Sequence, residues 1–305
     1  VSTEKGILPI ADALDCRETE SGRIVASGPQ PVSDIYKLTT KAGRVIRGTF
    51  DHPVHTPSGE FIWLGKLQPG QEVTLRPPRF AAERYTHRWN PLPGVEHNVA
   101  IDEDWGRFLG YFMGDGSWHA GNLSFACDAK DQDVVRDVSG LVETLTGRKP
   151  VPRAISRVQG RKGAVELRLG CKPLQDALEA LGAIAPYSSS PGHRRRTVQV
   201  PDAIWRSPRP VVREFLRGLF EADGSASNGV VRWATCKEEF ARDVQLRRLG
   251  FGIPAKLAVQ RKQAGNGNEY VSWVIALGRL ASERFHEEIG FVGKAFAHRE
   301  RRTAL

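Results

Sequence analysis

Two aspartates, Asp115 and Asp223, close two nearly identical stretches of a 305-residue chain. One reads Phe108-Leu109-Gly110-Tyr111-Phe112-Met113-Gly114-Asp115-Gly116-Ser117. The other reads Leu216-Arg217-Gly218-Leu219-Phe220-Glu221-Ala222-Asp223-Gly224-Ser225, and the final aspartates lie 108 residues apart. Two carboxylates brought together can hold a divalent cation through oxygen or act as an acid and base pair, as in a glycosidase. The basic balance of the chain and the absence of an aromatic sugar platform argue against the glycosidase.

The runs that carry these acids contain two unfavourable choices, each made twice. Gly110 and Gly218 fall in the middle of apolar helical runs, where glycine is roughly 1 kcal/mol worse than alanine. An acid at the C-terminal end of a helix opposes the helix dipole. Repeated together, they predict two helices packed closely through small residues, each delivering one carboxylate to a shared site. Gly116 and Gly224 are expected to stop the helices in the left-handed conformation.

The repeat extends past the motifs. Each leads into a hairpin, Trp118 to Ala126 and Ala226 to Ala234, then a cysteine, Cys127 or Cys236, expected to be small and buried. Charged helical stretches follow, Lys130 to Thr146 and Lys237 to Leu249. Strand pairs come next, Val151 to Val158 with Val165 to Leu169, and Pro254 to Lys262 with Tyr270 to Leu277. Closing helices end at Leu181-Gly182 and Ile289-Gly290, again 108 apart. The unit αββαββα is therefore written twice, which implies an internal pseudo-twofold axis through the carboxylates.

The two motifs in this context resemble the LAGLIDADG homing endonucleases of the monomeric, two-motif form, over about residues 100 to 305. The resemblance implies an α+β fold of two such repeats and a monomer that is an internal pseudo-dimer. It implies that Asp115 and Asp223 hold Mg²⁺, with Mn²⁺ able to substitute, at the centre of a double-stranded DNA cleft. The backbone carbonyls near Gly114 and Ala222 complete the expected metal ligands. Met113 departs from the family, which often has an acid there. The family also often carries a lysine three residues before a proline ahead of the second motif, but before Pro201 that position is Val198. Arg196 is then the first candidate for a basic catalytic helper, and Lys294 is the candidate in the second half.

Charge agrees with a polyanionic partner. The net charge is +9, with 44 Lys and Arg against 35 Asp and Glu, and residues 1–95 carry only 12 against 10 of these. Most of the excess lies on the repeats. Alternation along the strands puts Lys256, Gln260 and Lys262 on one face and Arg153 and Arg157 on another, where a twisted ribbon can read a major groove. Lys162, Arg168, Arg194, Arg195 and Arg232 are further candidate DNA contacts. No apolar run approaches the length of a membrane span and no signal peptide pattern is present, so a cytoplasmic protein is expected. The four cysteines have no metal-type spacing, and no disulfide is expected.

Residues 1 to 95 read as a small, mostly β domain, with strands at Gly6 to Ile10, Ile35 to Thr39 and Arg44 to Gly48. Gly48-Thr49-Phe50-Asp51-His52-Pro53-Val54 resembles the block of the Hint (intein) splicing domain that carries Thr-x-x-His, which makes Thr49 and His52 candidate splicing residues. Val1 to Ile7 looks like the segment that follows an intein's first nucleophile. The resemblance implies that both splicing termini lie outside the chain, so no splicing is expected of it. The expected division is a partial Hint-like domain over 1–95, a first repeat over 96–190 and a second over 191–305, with linkers near residues 82 to 100 and 186 to 210. Three functions stay open: an intein-derived, metal-dependent DNA endonuclease, a splicing element lacking its termini, and a non-catalytic DNA-binding regulator.

Overall fold

The helices α1 (Glu103–Asp115) and α5 (Arg209–Asp223) cross at the middle of the molecule, and their glycines determine how closely. A methyl group on Gly106 would sit 2.5 Å from the Val211 carbonyl oxygen, and one on Gly110 would strike the carbonyl of Phe215. Gly218 faces the carbonyl of Arg107 in the same way, and Gly114 faces the side chain of Ala222. Gly106, Gly110 and Gly114 are four residues apart, so they line one face of α1. The sequence reading singled out Gly110 and Gly218 and missed the other two. The structure, a computed structural model, describes all residues except 20, 21, 26, 27, 29, 30, 32, 33, 93, 94, 120, 156–162, 186–195, 266 and 295–305, and omits the side chains of 88–98 and 155.

The amino-terminal part holds short strands: β1 (Ser2–Thr3), β2 (Gly6–Ile7), β3 (Glu18–Thr19) and β4 (Gly22–Arg23), in one sheet of order β2-β1-β3-β4. Two separate hairpins follow, β5 (Tyr36–Thr39) with β6 (Val45–Gly48), and β7 (Pro53–His55) with β8 (Phe61–Trp63). A further hairpin, β9 (Thr86–Leu92) with β10 (Val95–Ala100), leads into α1. This corrects the expectation of an irregular linker over 82–100. A two-stranded ribbon is all edge, so Pro91 removes no central ladder bond. The expected boundary at residue 95 falls inside this hairpin.

After α1 the first repeat continues with β11 (Gly116–His119), β12 (Asn122–Asp128), α2 (Gln132–Thr146), β13 (Val151–Ile155), β14 (Ala164–Gly170) and α3 (Lys172–Ala180). A short α4 (Asp202–Trp205) precedes α5. The second repeat then runs β15 (Gly224–Ser227), β16 (Val230–Thr235), α6 (Glu238–Leu249), β17 (Lys256–Gln263), β18 (Glu269–Ala276) and α7 (Arg279–Glu288). The sheets have matching antiparallel orders, β11-β12-β14-β13 and β15-β16-β18-β17. The first strand of each begins at the residue after its aspartate.

Each sheet buries one face. Trp118, Leu123, Phe125, Leu167 and Leu169 do so in the first, and Val231, Trp233, Leu257 and Ile275 in the second. These side chains join those of α1 and α5 in one continuous core from Ile101 to Phe291. The opposite faces carry the predicted polar residues, as the two-residue period of a strand requires. Of the cysteines, Cys127 is half-buried and Cys236 exposed, against the expectation of burial, and all four thiols are free. Cys236 sits at the turn between β16 and α6, outside the ladder that covers its neighbours. Among the described residues, no helix is long and apolar enough to cross a membrane.

Candidate functional site

Asp115 and Asp223 are the last residues of α1 and α5. The helices do not stop by a left-handed glycine, as the sequence suggested. Gly116 has φ −72° and Gly224 φ −83°, and the chain passes directly from helix into strand. These glycines answer a need for space. A methyl group on Gly116 would lie 2.6 Å from the Phe112 Cα, and one on Gly224 would be 3.0 Å from the Phe220 carbonyl carbon. The absence of a side chain keeps the first strand tight against the last helical turn and aims the preceding carboxylate outward.

The two acids feel one another. The Asp223 carboxyl is pushed up to about 6, first by loss of water around it and then by the negative charge of Asp115, against the pull of Arg196 and Lys294. Asp223 has appreciable solvent-accessible area, yet its carboxyl is crowded by protein atoms. Both hold for a group set in a concave surface, and the crowding governs its protonation.

The carbonyl ends of the two helices are closed by cations. The Arg196 Nη1 donates to the carbonyl oxygens of Phe112 (3.1 Å), Gly114 and Gly116 (3.2 Å). The Lys294 Nζ donates to those of Phe220 (3.5 Å), Glu221 and Ala222 (3.4 Å). Both cationic groups are held below their ordinary values, chiefly by burial. A cation at this position offsets the helix dipole, which resolves the unfavourable placement of the aspartates. The sequence reading named both residues as helpers, and the structure brings both to the carboxylate pair. It also engages the Gly114 and Ala222 carbonyls, expected as metal ligands, with these cations.

Different devices hold the two cations. Arg196 pairs with Ile184 in an antiparallel bridge, and the neighbouring Thr197 amide donates to the Ala183 carbonyl at 3.0 Å. The Lys294 segment is held by Glu221, whose Oε2 accepts the Val292 amide at 2.7 Å. Glu221 is 4% exposed, and burial raises its carboxyl while Lys294 opposes the shift. The sequence reading did not assign Glu221 a role, since its partner lies 71 residues away. The one signal was Met113 at the matching position of the first repeat. Below the crossing, Arg107 lies 3.4 Å from Asp137 and 3.6 Å from Glu214. Arg217 bonds Glu214 and donates to the Ile289 carbonyl at 2.7 Å.

The candidate DNA-contacting residues fall on the sheet faces away from the core. Register places Arg168 opposite Ser124 and Val151, and Arg153 opposite Glu166, all on one face. In the second sheet Arg232 and Lys256 flank Ala276, while Gln260 faces Ser272 and Lys262 faces Tyr270. Arg153, Arg232, Lys256, Gln260 and Lys262 are exposed and Arg168 half-buried. Arg157, Lys162, Arg194 and Arg195 lie outside the described residues.

At the amino-terminal motif, the Thr49 hydroxyl donates to Asp51 at 2.6 Å. The His52 amide donates to the Thr49 carbonyl at 3.2 Å, and the residue is exposed. The pair therefore forms a turn with its polar groups outward.

The donor set suits a hard cation held loosely. Among the described residues no group of three or more His, Cys, Asp or Glu side chains could enclose a metal. Two carboxylates facing water leave coordination positions for phosphate oxygens and water, the habit of Mg²⁺ rather than of Zn²⁺.

Residues 210–290 match the model of a family described as a LAGLIDADG-like domain. The chain is 27% identical over 271 residues to the replication factor C small subunit of Thermococcus kodakarensis, covering 88% of this chain and 27% of that protein. It is 28% identical over 240 residues to the tRNA-splicing ligase RtcB of Pyrococcus abyssi, covering 68% of this chain and 24% of that protein. The chain thus spans about a quarter of the length of these two relatives. Structures of the homing endonuclease I-DmoI, one in complex with DNA and Ca, are 13% identical with TM-scores of 0.43 and 0.44. They cover 62% and 66% of this chain, and the matches span 96% and 98% of those chains. The matched residues 210–290 hold α5 to α7, and residues 103–180 repeat the same order of elements.

Proposed function

We propose that the chain is a site-specific, divalent-metal-dependent endonuclease of double-stranded DNA, derived from an intein. The observation that carries this reading is the placement of Asp115 and Asp223. Two carboxylates, one from each repeat, end crossed helices beside one another, with a cation behind each and a basic sheet face on either side. The relatives add support of a different kind. A replication factor C small subunit and a tRNA-splicing ligase share no named activity, and each is matched over only part of its length. A segment carried by otherwise unrelated proteins explains this simply.

In this reading Asp115 and Asp223 hold Mg²⁺ between the repeats, with Mn²⁺ able to replace it. When bound, the ion activates water and neutralises charge on the phosphate under attack. Arg196 and Lys294 keep positive charge beside the carboxylates, which favours their ionised form. A pseudo-twofold pair addresses two antiparallel strands alike, so both are cut and the ends are staggered. Arg153, Arg168, Arg232, Lys256, Gln260 and Lys262 face the duplex, some reading bases and the rest holding phosphates. Residues 1–95 are an accessory module with Hint-like character.

The second reading is a DNA-binding regulator that does not cut. One observation favours it: the Gly114 and Ala222 carbonyls already accept bonds from cations. The test is to incubate the chain with a library of random duplexes in Mg²⁺ or Mn²⁺ and sequence both the cut ends and the bound pool. Cleavage at one enriched site, lost in Asp115→Asn and Asp223→Asn, supports the endonuclease. An enriched bound pool without cut ends in either metal supports the regulator.

A further inference from the structure

The outer strands of the two sheets occupy matching places, but their edges are finished differently. Pro152 of β13 lies opposite Leu167, and Leu257 of β17 lies opposite Ile275. Leu167 and Ile275 are 108 residues apart, the spacing of the two aspartates, so Pro152 and Leu257 are counterparts. Both belong to edge strands, where an amide that faces outward has no partner in its own sheet. Pro152 is exposed and has no amide hydrogen to leave open. Leu257 has one, and it donates to the Ala42 carbonyl at 3.1 Å, in the turn between β5 and β6. Leu257 is only 6% exposed.

The turn is shaped for this contact. Gly43 has φ +80°, and a methyl group on it would lie 2.9 Å from the Leu257 carbonyl oxygen and 3.2 Å from the Leu257 Cβ. Two side chains of α6 hold the turn from behind. Gln245, buried, donates to the Ala42 carbonyl at 2.9 Å and to the Ala255 carbonyl at 3.0 Å. Arg242 donates to the Gly43 carbonyl at 2.6 Å, pairs with Glu238 and stands 5.6 Å from the Trp273 ring of β18. The Ala42 carbonyl therefore ties α6 to the start of β17, one residue from Lys256. Phe80 gives the amino-terminal part a second anchor on the same repeat, edge-on to Phe251 with 5.0 Å between ring centres.

We propose that the β5–β6 turn is a positioning element of the DNA interface: it clamps the outer edge of β17 and so fixes Lys256 and Gln260 for one half of the duplex only. The inference rests on the reading of the sheet faces as DNA-binding, whether or not the chain cuts. Side chains that read base edges must be held to within about half an ångström by the structure behind them. From Val259 to Gln263 β17 is exposed, so its start is where it can be anchored. In the first repeat Pro152 leaves no donor for such a clamp to hold. Residues 1–95 thus act on specificity in the second half-site without touching a base.

The test uses the full chain and a library of random duplexes. Arg153→Gln and Gln260→Ala first assign the halves of the selected site, each relaxing base preference in its own half. Gly43→Val, whose side chain pushes against Leu257, should relax preference in the Gln260 half by about fivefold, the low end of what one base contact contributes. The Arg153 half should keep its preference. The Leu257 amide should exchange with solvent about tenfold faster, as expected for a lost hydrogen bond, while the Arg153 amide keeps its rate. If Gly43→Val does not fold, Arg242→Ala decides, and Arg242→Lys, which keeps a donor for the Gly43 carbonyl, should restore part of the preference. Faster exchange at Leu257 with base preference unchanged in both halves would overturn the proposal, since the turn would then brace the fold without positioning the strand. Equal relaxation of both halves, or unchanged exchange at Leu257, would overturn it as well. A wild-type chain that selects no sequence would instead remove the DNA-binding reading itself, and the proposal with it.

Discussion

Arg196 and Lys294 stand in the same place in the two halves of the molecule, each collecting the last carbonyl oxygens of the helix that ends in an aspartate. Their local sequences share nothing that would announce this. One is a guanidinium in the segment between the repeats, and the other an ammonium after the last helix. Each places a positive charge where the helix dipole and a carboxylate would otherwise both be negative. Replacing either by alanine should destabilise the fold by about 1 kcal/mol through the lost helix-end interaction, read by denaturant unfolding. It should also raise the Asp223 carboxyl further, since both cations pull it down. Carbon-detected NMR of the Asp223 carboxyl in the two variants measures the shift, and a downward movement would contradict the arrangement.

The carboxylate pair makes a second prediction about pH. Asp223 titrates near 6 in the fold, above the ordinary value of about 3.9 for an unfolded chain. The folded state therefore binds more protons between these values, so this group makes the protein less stable as pH rises through that window. If the endonuclease reading holds, metal holding and cleavage, which need the ionised acid, should instead be lost as pH falls through about 6. Asp115→Asn removes the neighbouring charge and should bring Asp223 down toward its ordinary range, and in that reading it leaves specific DNA binding largely intact. A pH titration of Asp223 in Asp115→Asn that retains the wild-type midpoint would show that the two acids do not interact.

The helix crossing was legible in the sequence because its cause is local. Gly110 and Gly218 break helix propensity twice at matching positions, and only close backbone approach explains both. The repeat of elements, the two acids and the exposed strand faces were legible for the same reason, since period and spacing carry them. What escaped depended on partners far along the chain. Glu221 looks like any acid near a helix end until Val292 is folded onto it. Gly116 and Gly224 were seen but misread. A glycine after a helix suggests a left-handed stop, and only the packed turn shows that space around Phe112 and Phe220 is the requirement. Pro91 and the Pro93-Gly94 pair suggested a linker because turn residues outweighed the ribbon on either side.

The crossing can be tested at Gly110. An added methyl group strikes the Phe215 carbonyl, a backbone atom that cannot swing aside. Gly110→Ala should therefore destabilise by about 1–3 kcal/mol, although alanine is the better helix former by roughly 1 kcal/mol. Gly140 in α2, which has nothing within 4 Å of an added methyl, is the control. Gly140→Ala should be neutral or stabilising. Equal effects at the two sites in urea unfolding would mean that the helices do not approach as described.

Glu221 gives the last prediction, because it separates the two halves. Its carboxylate accepts the Val292 amide at 2.7 Å and lies near Lys294. In the first repeat Met113 takes the matching place, and Arg196 is held by the backbone bridge to Ile184 instead. Glu221→Gln keeps the shape and an acceptor oxygen but removes the charge that faces Lys294. The Val292 amide should then exchange faster with solvent, while the Thr197 amide of the other half keeps its protection. If the endonuclease reading holds, the same variant should slow the cut of one strand more than the other, giving nicked duplex from a doubly end-labelled substrate. Glu221→Asp should restore part of the balance. Equal slowing of both strands with unchanged exchange at Val292 would mean that Glu221 acts only through the common core and not through the segment that carries Lys294.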